Sequence, residues 1–152
     1  TVVDGNDAPT MTPAGPTLPD VIVSTPPPGI APIPVTELIT GSTIVDADTG
    51  AIAGIAVTGT TGDGTWQYSL DGTNWFAMGN RTNLSARVLL STASIRYLPT
   101  SSTETATIAY RAWDATNSSN GLAAVNTNTN GGTTAFSSDS DIASLAVTDP
   151  PV

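Results

Sequence analysis

The stretch Gly64-Thr65-Trp66-Gln67-Tyr68-Ser69-Leu70-Asp71-Gly72-Thr73-Asn74-Trp75 decides the fold class of this chain. Trp66 and Tyr68 alternate with polar residues, as they would on a strand with one buried face. Asp71-Gly72 predicts a tight hairpin turn, because glycine tolerates the positive φ that such a turn requires. Asn74-Trp75-Phe76 follows as the returning strand. The stretch therefore predicts an antiparallel β-hairpin.

Short apolar or alternating segments separated by turn residues occur on both sides of this hairpin. They predict further strands over residues 52–57, 87–90, 95–98, 106–113 and 142–148. The polar stretch between Asp114 and Ser138 predicts a long exposed loop, or a loose hairpin, before the final strand. Because no segment has a sustained helical period of apolar residues, we expect an all-β fold of the sandwich or barrel type.

Proline divides the chain into two parts. Nine of its 12 prolines lie in the first 34 residues, where they exclude a helix or a central strand. Thr25-Pro26-Pro27-Pro28-Gly29 is expected to be extended polyproline II, and Val21-Ile22-Val23 is a short segment able to pair along a sheet edge. We predict a Pro-rich linker or assembly arm over 1–34, a β domain over 35–149 and a tail over 150–152.

The composition excludes most catalytic machinery. The 152 residues include no His and no Cys, and all four basic residues are Arg. Without His, Cys or Lys there is no Ser–His–Asp triad, no zinc site of the usual kind and no P-loop lysine. What remains is oxygen chemistry from carboxylates, amides and hydroxyls. We therefore expect a structural or adhesive protein and not an enzyme.

The net charge of −9 argues against nucleic acid as a partner, because phosphates require clustered Lys or Arg. No run of apolar residues is long enough to span a bilayer, so we expect no direct membrane insertion. An acidic chain that lacks Cys and is rich in Thr is common among secreted bacterial surface proteins. The predicted location is extracellular, on a bacterial cell surface.

Oxygen ligands occur in pairs two residues apart, which places both side chains on one face of an extended segment. The pairs are Asp4/Asn6, Asp46/Asp48 and Asp139/Asp141, and Glu37 and Asp114 lie at predicted strand edges. Calcium takes six to eight oxygens, so several pairs must meet to bind it. We predict calcium as a cofactor, with the ligand set Asp4, Asn6, Asp7, Asp46, Asp48 and Asp114. The alternative is that these carboxylates are ordinary solvated loop residues.

A family resemblance covers most of the chain, from Asp4 to Thr148. The opening Asp4-Gly5-Asn6-Asp7-Ala8-Pro9 resembles the linker signature of cadherin-type repeats. The hairpin stretch above, Ile95-Arg96-Tyr97-Leu98-Pro99 and Tyr110-Arg111-Ala112-Trp113-Asp114 resemble a cadherin-like tandem repeat of large bacterial surface and RTX-type adhesins. The resemblance implies an immunoglobulin- or cadherin-like β-sandwich that stacks head to tail, with calcium at the joints.

Two further interpretations stay open at this point. The chain could be the protomer of a surface fibre, whose N-terminal arm lies along the sheet edge of a neighbouring copy. It could instead be a carbohydrate-binding module of a secreted protein that contacts cell-surface glycan through its aromatic residues. We expect most of those aromatics to form the core. They are Trp66, Tyr68, Trp75, Tyr97, Tyr110 and Trp113.

Overall fold

In a computed structural model, which describes residues 5–48 and 50–152, the chain folds into two β-sheets with little helix. The expected all-β class is confirmed. The elements in chain order are β1 Val21–Ile22, β2 Ile33–Pro34, α1 Val35–Gly41, β3 Gly54–Thr61, β4 Thr65–Ser69, β5 Phe76–Ala77, β6 Arg87–Leu90, β7 Ser94–Leu98, β8 Glu104–Trp113 and β9 Phe136–Thr148. None of the described helices is long and apolar enough to cross a membrane.

A five-stranded sheet has the order β1-β9-β8-β3-β6, and a four-stranded sheet has the order β2-β7-β4-β5. All pairings are antiparallel except that of β1 with β9. The predicted hairpin is present as β4 and β5, with Gly72 at a φ of +81° in the turn. The segment that begins at Val21, which was expected to pair along a sheet edge, forms β1 and lies at the edge of the five-stranded sheet of its own chain.

One buried cluster joins the two sheets. Its members alternate along the strands, as half-buried strands require, and both Trp66 and Tyr68 belong to it, as expected. The largest fully buried side chains include Tyr97 and Tyr110. A second buried cluster contains Trp113 and Phe136 together with Ala56 and Val88 of the five-stranded sheet. This cluster is covered in part by the segment that follows β8.

Several local expectations differ from the structure. Pro27–Gly29 forms a 3-10 turn in place of polyproline II, because Gly29 and Ile30 donate backbone hydrogen bonds to the carbonyls of Pro26 and Pro27. The short helix α1 was not predicted. Its Val35, Leu38 and Ile39 lie on one face at helical spacing, and Val35 and Leu38 are fully buried, but seven residues are too few to reveal a period.

The segment between Asp114 and Ser138 is not simply an exposed loop. Val125 exchanges backbone hydrogen bonds with Ala86, and the backbones of Gly121 and Leu122 bond to Val88. The segment therefore protects the outer edge of β6, which would otherwise present unpaired backbone groups. The last strand also begins six residues earlier than expected, at Phe136.

Residues 8–23, which we call the strap, bond to Ser42 and Val45 near their start and then, from Pro16 onward, run parallel to β9 along the edge of the five-stranded sheet. The strap begins with a bond from Ala8 to Gly132 and ends with one from Val23 to Thr148. Its Met11 and Leu18 are buried in the main core. The predicted boundary between arm and domain at residues 34 and 35 stays a prediction.

Candidate functional site

Both ends of the sheets carry polar groups, and we name each end after one acidic residue. The Asp114 end comprises residues 5–7, 46–48, 50–52 and 114–116, which line one open cleft or the pocket beside it. The Glu104 end comprises residues 61–64, 98–104 and 148. Strand β8 connects them, and its ten residues span about 30 Å at the usual rise of a strand.

The structure brings together five of the six predicted calcium ligands at the Asp114 end. Asn6, Asp7, Asp48 and Asp114 line the open cleft, and Asp46 lines the adjoining pocket with Asp48. The sixth, Asp4, lies outside the described residues. The chemistry of this donor set, carboxylate and amide oxygen, suits a hard cation such as calcium.

Asn6 and Asp114 connect the first described residues to the end of β8. The amide Nδ2 of Asn6 donates to Oδ2 of Asp114 at 2.9 Å and to the carbonyl of Thr134 at 3.1 Å. Oδ1 of Asp114 accepts bonds from the backbone and the hydroxyl of Thr116 at 3.1 and 2.6 Å. Asp114 is buried, and its carboxylate fixes the chain on both sides of it.

Asp7, Asp48 and Asp46 form a chain of hydrogen bonds. The backbone N–H of Asp7 donates to Oδ2 of Asp48 at 2.8 Å, and the backbone N–H of Asp48 donates to Oδ1 of Asp46 at 2.9 Å. The second oxygen of Asp46, Oδ2, is buried and has no hydrogen-bond partner among the described residues. A buried carboxylate oxygen without a partner is costly, and a bound cation would remove that cost.

The carboxylates do not form a complete coordination sphere as they stand. Within residues 5–48 and 50–152, no three acidic side chains lie close enough together to hold one metal ion. Several of their oxygens accept backbone hydrogen bonds instead. Binding of calcium at this end would therefore require the loop that contains Asp46 and Asp48 to adjust.

The third predicted pair has a different role. Asp139 is exposed, whereas Asp141 is buried. Its Oδ2 accepts from Ala14 N–H at 2.8 Å and from the Ser42 hydroxyl at 2.7 Å, and its Oδ1 accepts from the N–H groups of Gly15 and Ile142 at 3.0 and 2.8 Å. Asp141 thus ties the strap to β9 and to the end of α1.

The sequence contained a signal for this role. Asp141 lies in phase with Ala143, Leu145 and Val147, which are the buried residues of β9. A carboxylate at an inward position must find donors inside the protein. Burial by itself raises the pKa of Asp141, but the hydrogen bonds that it accepts outweigh burial and lower the pKa overall.

At the Glu104 end, the hydroxyl of the buried Tyr97 forms hydrogen bonds with two polar groups. The hydroxyl of Tyr97 donates to Oε2 of Glu104 at 2.6 Å and accepts from the N–H of Gly64 at 2.6 Å. Burial, followed by the bond to Glu104, raises the pKa of Tyr97 to about 12. The same bond from Tyr97 is the main reason why the pKa of Glu104 is lowered.

Most of the aromatic residues are core residues, but two are partly accessible. Trp75 is half-buried and lies next to Arg96. Phe76 is 53% exposed, and its ring packs against that of Tyr68, with 5.7 Å between the ring centres. The guanidinium of Arg96 lies 4.2 Å from the centre of the Trp75 ring, and its Nε donates to Gln67 at 2.8 Å. Gln67 and Arg96 are register partners on the face of the four-stranded sheet opposite the core side chains Trp66 and Tyr68. We call Trp75, Arg96 and Gln67 the Trp75 patch.

Comparison with protein-family models, curated proteins and solved structures finds no match for this chain. The cadherin-like resemblance therefore stays a prediction.

Proposed function

We propose that this protein is an extracellular structural and adhesive module of a bacterial cell surface, an immunoglobulin- or cadherin-like β-sandwich that joins end to end with its neighbours. One observation carries the proposal. Asn6 contacts Asp114 at one end of β8, whereas Thr148 pairs next to Glu104 at the other end. The chain therefore enters and leaves at opposite ends of the sheet, about 30 Å apart.

This path is the one that a series of modules requires, because each module then continues where the previous one stops. The neighbours are repeats in the same polypeptide or separate copies in a fibre. The surface of the Asp114 end also suits a joint. Val45 and Ile52, 56% and 55% exposed, lie beside Asp46 and Asp48 in the pocket of that end. Apolar contact through Val45 and Ile52 would have these carboxylates at its edge, and a polar rim is usual for protein interfaces.

The carboxylates of the described residues support a structural role. Asp141, Glu104, Asp114 and Asp71 all accept hydrogen bonds that hold loops or strands in place. Their function is to fix the shape of the chain. We propose on this basis that the protein is not an enzyme.

Calcium at the joint is the second part of the proposal. Asn6, Asp7, Asp46, Asp48 and Asp114 would hold the ion, and its charge would link the segment around Asn6 to the loop around Asp46. Ligand binding to the native state raises stability by mass action. We expect the melting temperature to rise in millimolar calcium relative to chelator, and Asp46→Asn to reduce that rise. Asp139→Asn, at an exposed position, is the matched control. An unchanged melting temperature removes calcium from the proposal and leaves the end-to-end joint in place.

The repeat form is tested with a tandem fusion of two copies. Small-angle scattering should give an extended particle whose longest dimension is about twice that of a single copy, because entry and exit lie at opposite ends. A fusion that folds back on itself, with two modules side by side, would contradict the proposal.

The fibre form is tested by electron microscopy and sedimentation of the single chain. Ile52→Ser should reduce end-to-end association, because it removes apolar contact area at the Asp114 end. Leu84→Ser changes a comparably exposed residue (61% exposed) elsewhere and serves as the control. Equal association of both variants would place the contact away from this end.

A carbohydrate-binding module is the second candidate, and the Trp75 patch favours it. A half-buried indole with an adjacent arginine and glutamine offers a stacking surface and hydrogen-bond donors for a sugar. A glycan array tests this directly. Saturable binding that Trp75→Ala abolishes, and that Leu84→Ser leaves intact, would support a lectin.

A further inference from the structure

The strap is the part of this chain whose contacts could be made equally well by another copy. We propose that residues 8–23 are exchanged between molecules, so that the strap of one copy occupies the edge of β9 in a second copy. The inference rests on the proposed function, since it specifies how separate copies are joined. Exchange of an identical element is a low-cost route to an assembly.

The strap belongs to the core but is connected to it only through distant parts of the sequence. Its backbone pairs with Val45, Ser42, Ser144 and Val147, and its Met11 and Leu18 fill the main core. Each of these four backbone partners lies at least 30 positions away in the chain from the strap residue that it pairs with. A strap from a second molecule would satisfy the same groups with the same geometry.

The groove that receives the strap is specific for this sequence. The carboxylate of Asp141 needs two adjacent backbone N–H groups, which Ala14 and Gly15 supply. Gly15 has a φ of +59°, a conformation that favours glycine. Met11 and Leu18, which are buried in the main core, lie on either side of this point along the strap. The occupant we infer is therefore residues 8–23 of another copy.

The segment between the strap and β2, residues 24–32, has the properties of a hinge. It is nine residues long, contains four prolines, and only Ile30 is buried. Ser24 has a φ of +57°, an uncommon conformation for a residue with a side chain. Opening the turn breaks few hydrogen bonds, such as those of Gly29 and Ser24. Fully extended, nine residues reach about 30 Å, far enough for the strap to leave its own body.

The exchange is tested with a pair of cysteines, since the chain contains none of its own. Thr17 and Ser144 are partners in a parallel bridge between strap and β9, and bridged residues lie within the Cα separation of about 4.4–6.8 Å that disulfides span. The variant Thr17→Cys/Ser144→Cys is oxidised at a series of protein concentrations and analysed by denaturing gel electrophoresis without reductant.

We expect dimers and higher multimers that return to monomer on reduction, with loss of the monomer band as concentration rises. The matched control is Thr61→Cys/Thr107→Cys, whose positions pair within the body through hydroxyls 2.7 Å apart, and which should give only the monomer band. A mixture of the two single variants, refolded together and mapped by mass spectrometry, should yield the peptide linked between positions 17 and 144.

Intramolecular disulfides alone, at every concentration, would overturn the exchange. If the oxidised double variant fails to fold by circular dichroism, Thr10→Cys/Val45→Cys provides a second pair across the same contact. The outcome is separable from that of the proposed function. Filaments with only intramolecular disulfides would refute exchange and keep the end-to-end joint, whereas linked dimers that never extend would do the reverse.

Discussion

Ser42 donates a hydrogen bond of 2.7 Å to the buried carboxylate of Asp141, and this contact joins the end of α1 to β9. The same hydroxyl lies 2.5 Å from the hydroxyl of Tyr110 on β8. Asp141 also accepts the N–H groups of Ala14 and Gly15. A single carboxylate therefore connects the strap, the helix and the two longest strands of the five-stranded sheet.

We predict that Asp141→Asn destabilises the protein by about 3 kcal/mol, because hydrogen bonds to a buried charge are strong and an amide cannot accept all four. The amide nitrogen would face N–H donors of the strap. Urea unfolding followed by tryptophan fluorescence measures the change. Asp139→Asn, two residues away and exposed, should alter stability by less than about 0.5 kcal/mol. Equal effects would contradict the role of Asp141.

The stability should also fall in acid. The folded-state pKa of Asp141 is lowered. The pKa of Asp71 is also lowered, mainly because its carboxylate accepts hydrogen bonds from the backbone N–H of Asn74 and, to a smaller extent, from that of Thr73. A carboxylate with a lowered pKa stabilises the fold above its unfolded pKa of about 3.9, and this contribution is lost as the pH falls through the folded pKa. Unfolding free energies measured from neutral pH downward should drop more steeply in the wild type than in Asp141→Asn. Parallel curves would refute this.

A second loss of stability is expected in alkali. Burial raises the pKa of both Tyr97 and Tyr110 to about 12. A raised tyrosine pKa means that the stabilising contribution is complete below about pH 10, the unfolded value, and is lost as the pH rises toward the folded one. Thermal unfolding combined with tyrosinate absorbance checks this. Tyr110→Phe should weaken the alkaline dependence, and normal titration of all tyrosines in the folded protein would disprove it.

The strands could be predicted from the sequence because their pattern reports directly on burial. Thr65 to Ser69 alternates cleanly, and β4 has those bounds. Gly72 marks a turn that needs positive φ. Such signals are local, so the residues that create them also form the element. The fold class follows from a series of them.

The contacts of the strap and of the Asp114 end were harder to predict, because most of the residues that they pair with are distant in the sequence. Nothing near Met11 indicates a core position, since its neighbours in the core come from other strands. The predicted ligands around Asp48 are expected to lie together, and the structure brings four carboxylates and the amide of Asn6 to one end. The bond from the N–H of Thr116 to Asp114 is local, two residues apart, and is the kind that aspartate commonly makes in turns. The bond from the N–H of Asp7 to Asp48 joins residues 41 positions apart and depends on the tertiary fold, so no local pattern encodes it.

Gly54 and Gly59 provide a last prediction, because both lie in β3 and differ in what surrounds them. A Cβ at Gly54 would lie 2.6 Å from the Leu89 carbonyl oxygen and 2.8 Å from Cε3 of Trp113, whereas one at Gly59 would meet only Ala109, at 3.9 Å. Gly54→Ala must displace a backbone or the fully buried Trp113, so we expect a loss of about 1–3 kcal/mol, as for overpacked cores. Gly59→Ala should be neutral or slightly stabilising, because it restricts the unfolded chain. Chemical unfolding followed by tryptophan fluorescence compares the two variants. A Gly54→Ala variant as stable as Gly59→Ala would show that Leu89 and Trp113 do not pack tightly against this glycine.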